Sequence, residues 1–219
     1  MPNLPTTFKK AAEGAIASYS YTDIADGTGI VTFYAGIGET SAGNIYILSQ
    51  QTQRMSILYE AASVAGSASE YTKGYDKDFD LTPFNAPRII GGTVTAGLGW
   101  SQWERSGSLS ATGYVRLVIK HVTEAGAETD LVTLQTPTAT GGDAQIHIVD
   151  YVSGTIPRTH FKIGEKLRVT YEGWWFQDNG TPQPWITNEF YFDPLNAVNG
   201  DQGAGDTQFF INIPFDLDL

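Results

Sequence analysis

Along most of the chain apolar residues recur at every second position, in short runs broken by Gly, Thr, Asp and Pro. The clearest run is Lys166–Phe176. Leu167, Val169, Tyr171 and Gly173 share one face there, and Arg168, Thr170 and Glu172 share the other. A period of two belongs to a half-buried strand. Tyr114–Thr123 alternates in the same way, with Val115, Leu117, Ile119 and His121 together. In the terminal run Thr207–Phe215, the residues Phe209, Ile211, Ile213 and Phe215 form one apolar face that a neighbouring strand has to cover. Further strands are expected at Ile30–Ala35, Asn44–Gln50, Asp78–Thr82, Arg88–Trp100, Thr129–Gln135, Ala144–Val152 and Thr187–Phe192. The Gly/Thr/Ser turn between the first two predicts a hairpin. The glycines of Arg88–Trp100 predict bulges or close backbone approach. Pro157 and Gly164 predict a turn leading into the strand that begins near Lys166.

No βαβ alternation and no fixed-period repeat interrupts this pattern, which points to a sandwich or barrel. We expect an all-β, jelly-roll-like β-sandwich over residues 27–219, preceded by an N-terminal arm over residues 1–26. In the arm, Phe8, Ala11, Ala12, Ala15 and Ile16 have rough helical spacing that Gly14 weakens. The Ala/Ser-rich stretch Arg54–Lys73 fits helix, loop or strand, and reads most simply as a loop over the sandwich.

Composition narrows the function classes. A length of 219 residues with 41% hydrophobic residues supplies a core for one large domain. The net charge of −11 argues against direct contact with a phosphate backbone and suits a basic partner surface. With no cysteine, disulfides, thiolate nucleophiles and Cys-ligated zinc drop out. Met1–Lys10 lacks the apolar stretch of a secretory signal, and no apolar run approaches the ~20 residues of a spanning helix, so no membrane is expected.

Candidate chemistry is sparse. Asp76, Asp78 and Asp80 open like a calcium loop, but Leu81 and Pro87 stand where its Gly and closing Glu belong. In a strand the same spacing puts all three acids on one solvated face. His121, His147 and His160 lack short metal-ligand spacing, so neither metal nor cofactor is expected. His147 alternates with Ile146 and Ile148 and is expected to point away from their face. No G-x-S-x-G elbow or phosphate loop occurs. The aromatic cluster Trp174, Trp175 and Trp185 flanks a Pro- and Gly-containing loop, with Glu172 and Glu189 close in sequence. Adjacent Trp174 and Trp175 in a strand put one ring in the core and the other outside, where it suits a subunit interface. Sugar stacking on these rings is the alternative, and a Glu172/Glu189 glycosidase pair a more remote one.

Four segments resemble a group of tailed-phage and environmental-virus virion proteins. They are Asp23–Gly29 with Ile30–Tyr34, Asp78–Asn85, Ile156–Arg168, and the ending Ile213–Leu219. The resemblance implies a β-sandwich on the virion with no chemistry attached. On that basis we expect a capsid decoration (cement) protein and not an enzyme, located in the virion. Its partners would be the major capsid protein or other virion proteins, and further copies of itself, a trimer among the options. Phe8, Lys9, Lys10 and Ile16 are the expected capsid contacts of the arm. A carbohydrate- or receptor-binding virion module using Trp174, Trp175 and Trp185 is the alternative.

Overall fold

In the computed structural model the described residues are 17–18, 28–64, 70–104, 111–141, 145–177, 186–196 and 207–216. Thirteen strands account for most of them: β1 (Ala17–Ser18), β2 (Thr28–Thr40), β3 (Gly43–Ser49), β4 (Tyr59–Val64), β5 (Thr72–Asp80), β6 (Arg88–Glu104), β7 (Ala111–Val122), β8 (Glu128–Gln135), β9 (Ala139–Gly141), β10 (Ile146–Phe161), β11 (Lys166–Gln177), β12 (Ile186–Tyr191) and β13 (Phe210–Asp216). The period-two alternation becomes burial directly. Leu167, Val169 and Tyr171 of β11 are fully buried, as are Val115 and Ile119 of β7 and Ile211 and Ile213 of β13.

All the strands belong to one hydrogen-bonded sheet, in the order β4-β12-β6-β13-β2-β3-β5-β11-β7-β8. Antiparallel β10 runs along the other edge of β6 from Ile146↔Gln102 to Phe161↔Arg88. The sheet turns over at β3, where a single parallel bridge, Ile47↔Asp80, joins it to β5. The two halves then face each other as a sandwich. Tyr75 of β5 stacks on Phe190 of β12 with centroids 4.3 Å apart, and Tyr171 of β11 meets Phe209 at 5.4 Å. On the far side β10 closes onto β8, where a Cβ at Gly154 would come within 2.5 Å of Leu134. The all-β sandwich expected from the alternation is the fold observed.

Each expected strand overlaps an observed one, and the structure adds or moves several. The stretch Arg54–Lys73 contains a strand, β4, paired with β12 from Ile186↔Val64 to Tyr191↔Tyr59. Its Ala- and Ser-rich sequence carries little β-propensity, so pairing rather than composition makes it a strand. The turn expected at Pro157 is absent: β10 runs through it to Phe161, absorbing the proline in a register shift between Ile156 and Thr159. A missing N–H is tolerated at such a bulge. Gly164 does make the tight turn, with φ of 84°. The close approaches expected in β6 occur at Gly91, where a Cβ would meet the Arg158 backbone at 2.8 Å, and at Gly97, under the Phe210 ring. Of the N-terminal arm, only Ala17–Ser18 is described, paired with β2. Phe8, Lys9, Lys10 and Ile16 lie outside the described residues.

Candidate functional site

Because β12, β6 and β10 are adjacent, cross-strand register sets Glu189, Ser101 and His147 in one row. Glu189 and Ser101 alternate with the core residues Phe190 and Trp100, so the row lies on the side of the layer that faces away from the core. His147 is exposed on that side, as its alternation with Ile146 and Ile148 predicts. Glu189 and Ser101 are nevertheless buried. Hydrogen bonds tie the row together. Gln145 Nε2 donates to Ser101 Oγ at 2.8 Å and to Glu189 Oε2 at 3.0 Å. The Tyr191 hydroxyl donates to Glu189 Oε2 at 2.9 Å and lies 3.3 Å from His147 Nδ1. Burial, first of all, holds the Tyr191 phenol above its ordinary range; a hydrogen bond from Ser101 works against this and the Glu189 charge adds to it. Tyr191 therefore stays a neutral donor to the carboxylate at neutral pH.

An acid, a hydroxyl and an imidazole in line resemble the parts of a catalytic triad in the wrong order. A triad needs the imidazole between the acid and the nucleophile. Here the serine stands in the middle, and its hydroxyl is engaged by an amide. The arrangement holds N–H and O–H donors from Gln145 and Tyr191 against the buried Glu189 carboxylate. The imidazole's partner is the Tyr191 hydroxyl, 3.3 Å from Nδ1, in place of the serine that a triad base would bond. The row is not legible in the sequence, because its members come from three strands distant along the chain and only register unites them.

A second acid hub lies at one edge. Glu60 accepts hydrogen bonds from Tyr75 at 2.6 Å and from Tyr46 and Asn44 at 2.8 Å each. Burial, then Glu60, pushes the Tyr46 phenol up to about 12. An open hollow of about 640 Å³ lies over this hub, with Lys77 and Asp76 on its rim.

Among the described residues singled out from the sequence, Glu172, Trp174 and Asp76 meet around Lys73, and Glu189 stands apart from them. Trp175 is buried in the core, Trp174 is half-buried on the outer face of β11, and Trp185 lies outside the described residues. The Trp174 ring is not an open platform. Tyr114 stacks parallel to it at 6.2 Å, the Arg116 guanidinium sits 5.0 Å from its centroid, and its Nε1 donates to Glu172 at 2.8 Å. Glu172 and Glu189 flank Tyr171 and Phe190, which meet at 5.4 Å in the core. The two carboxylates thus point away from that core on opposite sides of the sandwich and form no glycosidase pair. Asp76, Asp78 and Asp80 share one outward face, each against a cation: Lys73 at 2.5 Å, Arg168 at 2.8 Å, and Lys166 together with Arg168. His121 bonds Glu165 at 2.7 Å, and His160 is exposed. No cluster of His, Asp and Glu fit for a metal occurs among the described residues.

This is an all-β sandwich with polar rows on its outer faces, and its likeness lies with larger chains. No family model matches it, and no curated protein does. Among solved structures, an α-amino acid ester hydrolase superposes on 84% of this chain with a TM-score of 0.53 and 14% identity. A CocE/NonD family hydrolase from Staphylococcus aureus covers 85% of the chain with a TM-score of 0.46 and 11% identity. An aminopeptidase from a marine sediment archaeon, a Thaumarchaeota archaeon, covers 84% with a TM-score of 0.46 and 11% identity. The chain spans only 36–37% of the length of these proteins. At 14% identity the ester hydrolase match shows a shared fold, and the two weaker superpositions add nothing to it.

The finding corrects the functional expectation. A capsid decoration protein without an enzymatic role was expected, but the structural likeness at a TM-score above 0.5 falls on an α-amino acid ester hydrolase. The sugar- or receptor-binding virion alternative is corrected with it; of its three rings, Trp175 is buried and Trp174 is engaged by Tyr114 and Arg116.

Proposed function

We propose that this chain serves hydrolysis as a β-sandwich module, binding and positioning the substrate of a hydrolase whose nucleophile lies outside the described residues. The observation that carries the reading is the overlap with 36% of an α-amino acid ester hydrolase at a TM-score of 0.53. The row Glu189–Ser101–His147 supports the division of labour, since it offers a carboxylate and polar groups without an activated nucleophile. An α-amino acid ester carries an ammonium group, and Glu189 is of the chemistry to pair with it.

The test compares the isolated chain with the native protein and whatever copurifies with it, using α-amino acid methyl esters as substrates. Turnover is expected in the native preparation and not in the isolated chain. In the native preparation Glu189→Gln should raise KM more than it lowers kcat, because it removes a binding contact. Turnover by the isolated chain that Ser101→Ala abolishes would move the chemistry into this chain. Absence of turnover from both preparations would overturn the hydrolase reading.

A further inference from the structure

The two outer faces of the sandwich differ in charge. On the β5–β11–β7–β8 side, cross-strand ion pairs cover the surface, among them Arg168 with Asp78, Asp80 and Glu128, and Lys120 with Glu128. The outer face of β2–β13–β6–β10 is built otherwise. Register places Tyr34, Phe210, Gly97 and Tyr151 in one row across its four strands. The next row is Thr32, Asn212, Thr95 and Ser153. Thr32 donates to Asn212 Oδ1 at 2.7 Å, and Asn212 Nδ2 donates to Thr95 at 3.0 Å, so the amide is held flat within the sheet surface. Neither row contains a charged side chain, in a chain with 37 charged residues from 24 acidic and 13 basic. Tyr151 is 75% exposed, and Val149 and Ile30 on the same face are 38% and 41% exposed. The Tyr151 and Phe210 rings, 6.4 Å apart, stand over Gly97, where any side chain would collide with them.

We infer that this face packs against the same face of a second copy of the chain, sheet on sheet. A two-fold interface sets a patch against itself. With a net charge of −11, self-contact through an acidic surface would set like charges together, and this neutral face avoids that. Its composition, Tyr and Phe at the centre with charge excluded, is that of an interface core. Over the seven residues of β13, four strands spaced by ~4.8 Å present roughly 450 Å² of flat area, a little over half of the ~800 Å² per partner of a stable complex. The occupant therefore follows from self-complementarity of charge and is another copy. The inference does not depend on the hydrolase reading.

Light-scattering mass and sedimentation velocity across a micromolar concentration series test it. The expected mass is twice that of the 23.8 kDa chain and holds in high salt, since no ion pair is used. Tyr151→Glu and Val149→Lys should each return the monomer with an unchanged circular dichroism spectrum. Ile163→Glu, which changes an exposed apolar residue in a distant turn, should leave the dimer intact. A monomeric wild type, or a dimer that survives both face variants, would overturn the proposal.

Discussion

At the scale of single residues, Tyr171 sets a polar atom in an apolar place. Its ring packs among Tyr75, Phe190, Phe192 and Phe209. Its hydroxyl is buried without a hydrogen-bond partner among the described residues. Burial, foremost, raises its pKa well above the ordinary value. An unsatisfied buried hydroxyl costs about 1–3 kcal/mol. Tyr171→Phe should therefore match or exceed wild-type stability in urea unfolding, by up to ~1 kcal/mol; a clear loss would reveal a bound partner for the hydroxyl. Glu165 is the opposite case. The Lys162 backbone N–H donates to its carboxylate at 2.8 Å and His121 bonds it at 2.7 Å; the backbone bond is the larger cause that holds its pKa below the ordinary range, against the effect of burial. A carboxylate depressed in the folded state stabilises fully above its unfolded pKa of ~4.3, and that contribution disappears as pH falls through the folded value. Glu165→Gln should lower stability at pH 7 by about 1 kcal/mol and flatten the acid limb of thermal melts below about pH 4.

At the scale of elements, register decides what alternation leaves open. Arg168 of β11 is directly opposite Asp80 of β5, and it reaches Asp78 and Glu128 as well. One side chain thus pins three strands. Burial works against the Asp80 charge, but hydrogen bonds from Arg168 and Lys166 outweigh it and hold its pKa low. Arg168→Gln should cost roughly 1–3 kcal/mol at neutral pH in denaturant unfolding. The loss should shrink below about pH 4, once Asp80 and its neighbours protonate. An effect that stays constant with pH would mean that packing of the Arg168 stem, not its charge, is what matters. The alternation of β11 told which residues face out; that Arg168 meets Asp80 was not legible, because strand order is not written in either strand. For the same reason β4 stayed ambiguous: Tyr59–Val64 owes its conformation to β12, more than a hundred residues downstream.

At the scale of the whole molecule, one continuous sheet folded over at β3 makes both layers share a core. It also gives the protein two unlike outer faces, one laced with ion pairs and one carrying two adjacent rows without charge. The proposed self-association and the proposed substrate positioning fall on different parts of the same layer, the first centred on Tyr151 and the second on Glu189. Tyr151→Glu and Glu189→Gln therefore separate them: the first should change mass, and the second should change KM.

The sequence by itself determined the all-β class, most strand positions, the inward residues of β7, β11 and β13, the turn at Gly164, and the outward setting of His147. These follow from a period of two and from the conformational freedom of glycine, both local properties of the chain. Only the tertiary structure decided that Glu172 and Glu189 stand on opposite sides, that Trp174 is covered by Tyr114 and Arg116, and that Glu189, Ser101 and His147 share a row. Strand order and register bring residues together across tens of positions, and the pleat repeats identically whichever strand lies alongside.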